Sequence, residues 1–141
     1  MKTLLHGLLP FILAQSLFAE ISNKQLEGYW KFLLKDEGIV ISSVSSYLPN
    51  GQYTDEGSVV MTMGDKEQKL SYGIIGRWEL VEDNLVITVS ESTAPQLYPK
   101  GMIIKSKITK ITEKQMTFIS ELDKKEYIAT RTVNPNTKEG K

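Results

Sequence analysis

Apolar and polar residues alternate with a period of two along the chain from Leu26 onward. The alternation is clearest near the middle. Leu70, Tyr72, Ile74, Gly76, Trp78 and Leu80 share one face, and Ser71, Gly73, Ile75, Arg77 and Glu79 share the other. Leu85, Ile87 and Val89 oppose Val86, Thr88 and Ser90, and Ile104, Ser106 and Ile108 oppose Lys105, Lys107 and Thr109. Such patterning belongs to antiparallel strands with one face buried and one wet. Eight candidate strands follow, at about 28–35, 38–47, 52–63, 68–80, 84–91, 102–111, 115–121 and 125–133. Short Gly-, Pro-, Asn- and Asp-bearing segments separate them, as hairpins require. The exception is Ser92–Gly101, a longer link that carries Pro95 and Pro99.

No long helical pattern lies between the strands, so parallel crossovers are not expected. The same alternation permits a two-sheet sandwich. Even spacing and short links favour closure into an all-β, eight-stranded antiparallel up-and-down barrel, which removes its own edges. Inward positions then include Trp30, Phe32, Leu34, Tyr72, Ile74, Trp78, Leu85, Ile87, Ile104, Ile108, Met116, Phe118, Tyr127 and Ala129. Many of these are large. An eight-stranded barrel is just wide enough to be filled by side chains or to hold one small ligand. Little free room is therefore expected unless one end splays open.

The N-terminus breaks the alternation. Residues 1–19 pair Lys2 with an apolar stretch from Leu4 to Leu13 and end on Ala19, with Ala14 and Ser16 as a second cleavage candidate. That layout predicts a secretory signal peptide, too short in its apolar run to span a bilayer. The barrel is expected over 20–133, in a periplasmic or secreted protein, with no membrane span after signal removal. The polar tail Asn134–Lys141 is expected to be disordered.

Composition then narrows the chemistry. The 141 residues hold 17 Lys+Arg against 17 Asp+Glu, one histidine and no cysteine. A balanced charge argues against a nucleic-acid partner. Without cysteine there is no disulfide, thiolate nucleophile or Cys-type zinc site. The single histidine, His6, falls in the segment expected to be removed, so the mature chain is expected to lack histidine catalysis as well. The adjacent acids Asp36/Glu37, Asp55/Glu56 and Glu82/Asp83 lie in turns or near strand ends and read as solvated loop charges. Lys105 and Lys107 share a face that Lys110 leaves, which weakens a basic-patch reading. Arg77 is expected outside, paired with an acid such as Glu79. No metal, cofactor or catalytic residue is expected, and the chain is not read as an enzyme.

The first strand opens with Gly28-Tyr29-Trp30, and the last carries Ala129-Thr130-Arg131. With Pro49-Asn50-Gly51 and Gly76-Arg77-Trp78, these residues resemble the bacterial lipocalin-like barrels of the calycin type. The resemblance implies that Gly28, Trp30 and Arg131 close one barrel end, with the guanidinium over the indole. That contact has its own physical logic, worth about 0.5–2 kcal/mol. The family likeness implies a binding protein for a small apolar ligand, with Tyr72, Trp78, Phe118 and Tyr127 as candidate ligand residues. The alternative is a protein partner, as for a periplasmic or secreted enzyme inhibitor, engaged through Ser92–Gly101 and Tyr98.

Overall fold

The computed structural model describes residues 20–136. The expected signal peptide, including Lys2 and His6, and tail residues 137–141 lie outside the described residues. Ser22 caps a single helical turn, α1 (Asn23–Leu26), in a reciprocal capping box with Gln25. Eight strands follow: β1 (Gly28–Asp36), β2 (Ile39–Tyr47), β3 (Gln52–Met63), β4 (Lys66–Val81), β5 (Asn84–Ser92), β6 (Ile103–Ile111), β7 (Gln115–Ser120) and β8 (Glu126–Thr132). Each strand pairs antiparallel with its sequence neighbours, and β8 returns to β1, so the sheet closes as an up-and-down barrel. The architecture is the one the alternation predicts.

Two bulges adjust the register. Between β4 and β5 the pairing shifts at Ile75/Gly76, where Ser90 is the extra residue. Between β6 and β7 the shift falls between Ile108 and Lys110, with Thr109 unopposed. The second bulge corrects the sequence reading of the lysines. An extra residue restores the phase, so Ile108 and Ile111 both turn inward and Lys110 stays exposed beside Lys107.

One end of the barrel is sealed. Trp30 is 1% exposed, and Leu26, the last residue of α1, is fully buried. The Arg131 guanidinium lies 4.2 Å from the centre of the Trp30 ring. Its N–H groups donate to three carbonyls: Glu27 at 2.8 Å, Gln25 at 2.6 Å and Glu113 at 2.7 Å. The Trp30 indole N–H donates to the Leu26 carbonyl at 2.8 Å. One cation thus ties the lead-in turn, the last strand and the β6–β7 turn to the floor. Gly28 is required here, because its φ is 122° and a Cβ would sit 2.8 Å from the Arg131 Nη1.

Trp78 completes the same end. Its indole N–H donates to the Leu48 carbonyl at 2.9 Å, and Tyr47 meets its ring edge-on at 5.7 Å. Arg77 differs from its expected role. It donates to the Asn50 carbonyl at 3.2 Å and so secures the β2–β3 turn rather than pairing with an acid. No carboxylate among the described residues forms an ion pair with it.

Candidate functional site

The opposite end of the barrel leads into a cavity of about 700 Å³. Little free room is expected unless one end splays open, and the open end supplies that room. The inward rows of β2 and β3 supply Ser43, Ser45 and Asp55 where larger side chains would close the space. Gly57 adds no side chain at the same level.

Two aromatic groups line the walls. Phe32, Phe118 and Tyr127 pack at centroid separations of 5.7–6.1 Å on the side formed by β1, β7 and β8. Tyr72 and Tyr98 pack at 5.2 Å on the other side. Ile74, Ile87, Ile104 and Met116 also line the cavity. At the mouth, Ile103 and Leu122 expose apolar side chains beside Lys105, Glu121 and Asp123. The Tyr127 hydroxyl donates to the Asp123 carboxylate, which holds that acid below its usual range and pushes the phenol up.

Of the four candidate ligand residues, Tyr72, Phe118 and Tyr127 line this cavity. Trp78 is not among the lining residues and belongs to the sealed end. Gly28, Trp30 and Arg131 come together at the floor, with Trp30 forming part of the cavity wall. Tyr98 is turned inward, lining the cavity against Tyr72, while Ala94 is buried and its carbonyl accepts from the Leu97 and Tyr98 amides. An inward Tyr98 leaves Leu97 as the exposed apolar side chain of that link.

The residue that sequence reasoning misplaced is Asp55. It is 7% exposed and lies inside β3, whereas its neighbour Glu56 is exposed outside. The two acids therefore point to opposite sides of the wall and cannot act together. Asp36/Glu37 and Glu82/Asp83 sit at turns at opposite ends of the barrel. Asp55 Oδ1 accepts from the Ser45 hydroxyl at 2.9 Å, and Oδ2 accepts from the Tyr72 hydroxyl at 3.0 Å. Tyr53 lies 3.4 Å from Ser45 Oγ, extending the network. Gly57 makes this reach feasible: it pairs with both Ser43 and Tyr72, and the phenol crosses over its bare backbone.

Burial raises the Asp55 pKa above its ordinary value, against the hydrogen bonds from Ser45 and Tyr72 that favour the charged form. Burial, and then the Asp55 charge, raises Tyr53, Tyr72 and Tyr98 in turn. The sign for stability follows. An acid with a raised folded-state pKa contributes fully below its unfolded value and loses that contribution as pH rises through the folded value. Asp55→Asn keeps the shape and removes the buried charge. It is expected to raise the thermal midpoint at pH 7.5, with the gain vanishing by about pH 4. Paired melts by circular dichroism across this range check it, and a gain that grows on acidification would contradict it.

Among the described residues, no group of three or more His, Cys, Asp or Glu side chains is placed to hold a metal ion. No described helix is long and apolar enough to cross a membrane. Fold and site together define a closed, eight-stranded antiparallel barrel with one sealed end and an internal cavity. No protein-family model matches the chain. No curated protein matches it either. Among solved structures it is similar to a porin-like protein from Bacteroides uniformis ATCC 8492, at 17% identity and a TM-score of 0.25 over 72% of this chain. The chain spans 48% of that protein's length. The reading of the site accordingly rests on its own geometry.

Proposed function

We propose that the protein is an exported, non-enzymatic, lipocalin-like binding barrel that takes a small, largely apolar ligand through its open end. The observation that carries this reading is the cavity of about 700 Å³ with aromatic and aliphatic walls. Its volume lies within the roughly 300–1,000 Å³ of small-molecule sites, where apolar walls and a few placed polar groups are the usual construction. The signal-like layout of residues 1–19 supports export to the periplasm or medium. The protein-partner alternative has less support, because the Tyr98 ring serves the cavity wall.

Titration with N-phenyl-1-naphthylamine, a neutral apolar dye that brightens in dry surroundings, tests the reading. Saturable binding of one dye per barrel is expected. Emission that stays at the level of dye in buffer would overturn it.

A further inference from the structure

The cavity is apolar in its walls but not in its charge. Among the described residues its lining carries three carboxylates, Asp55, Glu121 and Asp123, against a single cation, Lys105. Of these only Asp55 is buried; the other three lie exposed around the mouth. Asp55 has two neutral hydroxyl donors at 2.9 Å and 3.0 Å and no ion-pair partner among the described residues. A buried carboxylate held only by neutral hydroxyls pays its desolvation without a compensating charge.

The surroundings of Asp55 suit an incoming cation. The hydroxyl oxygens of Ser43, Ser45 and Tyr53 are acceptors within the same cluster. An ammonium group brings three donors and no acceptor, so it can bond the carboxylate and these oxygens together. The Tyr53, Tyr72 and Tyr98 rings add π faces, which attract a desolvated cation. An anionic amphiphile meets the reverse situation, with three carboxylates on its path and no buried cation to receive its head group.

We propose that the ligand is an amphiphilic amine, whose apolar chain or ring fills the aromatic-lined lumen and whose ammonium group sits on Asp55. The assignment deepens the binding-barrel reading and rests on it.

Three probes with one carbon skeleton separate the two claims. Decylamine, decanol and decanoate are titrated into the full-length mature protein by isothermal calorimetry at pH 7.5, below their aggregation thresholds. Decylamine is expected to bind one per barrel, about tenfold or more tighter than decanol, with decanoate weakest. In Asp55→Asn the amine should fall to that variant's own decanol level, with a far-UV circular dichroism spectrum like the wild type's reporting an intact barrel. Equal affinity for amine and alcohol, tighter binding of decanoate, or an amine preference that survives Asp55→Asn overturns the amine assignment and leaves the apolar-ligand reading standing. Binding of none of the three overturns both.

Discussion

Replacing Trp30 with alanine is expected to destabilise the barrel by about 3–5 kcal/mol, the usual cost of removing a buried tryptophan. The side chain is 1% exposed, and its loss would remove both the plate under Arg131 and the bond to the Leu26 carbonyl. Three separate segments meet at that point, so the damage should not stay local. The guanidinium would keep its three carbonyl acceptors but lose its stacking surface. For a domain of this size the midpoint should drop by roughly 10–20 °C, read by thermal denaturation. Arg77→Ala supplies the contrast. That residue is exposed and makes one 3.2 Å bond to a turn carbonyl, so its loss should cost about 0.5 kcal/mol or less. Comparable losses for Trp30→Ala and Arg77→Ala would contradict the view that one end is held by the Trp30–Arg131 closure.

The second large effect is expected at Gly57. A Cβ there would stand 2.5 Å from the Ser42 carbonyl, 2.6 Å from Ser43 Cβ and 2.9 Å from the Tyr72 hydroxyl. Two of these neighbours cannot swing away, since one is backbone and the other is a Cβ fixed to it. Gly57→Ala should therefore cost about 1–3 kcal/mol through overpacking. It should also push the Tyr72 hydroxyl off Asp55, lowering affinity for whatever occupies the cavity. Gly73→Ala is the matched control, because its Cβ would meet nothing closer than 3.9 Å. That change should stay within about 0.5 kcal/mol of the wild type. Urea denaturation of both variants checks the pair, and equal midpoints would contradict the close approach at Gly57.

These two positions also mark what was legible in the sequence. The floor was legible only through a resemblance, which set Gly28-x-Trp30 on the first strand against Arg131 on the last; the motif alone is a weak signal. The strands were readable because a period of two and turn residues speak locally. The bulge at Thr109 was not, since an extra residue in one strand is defined only by what its partner strand opposes to it. Asp55 was missed for a different reason. An acid next to a second acid reads as solvated, although Tyr53, Asp55 and Gly57 continue one inward row. The size of the cavity is hidden for a related reason. The large inward residues stand on β1 and on β4 to β8, while the small polar row Ser43 and Ser45 on β2 holds the space open. Free volume in a barrel is set by its smallest inward row, and small polar side chains carry little pattern by which to find it.

The central claim is that the lumen itself receives the ligand. The most direct measurement compares N-phenyl-1-naphthylamine binding by the wild type and by a variant carrying Leu34→Trp and Ile104→Trp, two half-buried residues that line the cavity. The added indoles narrow the lumen while the floor residues and Asp55 keep their own side chains. The wild type is expected to bind one dye per barrel, and the filled variant, with its strand signature intact, to lose at least tenfold in affinity, or about 1.4 kcal/mol. Undiminished binding by a folded, filled variant would place the dye outside the barrel and contradict the account.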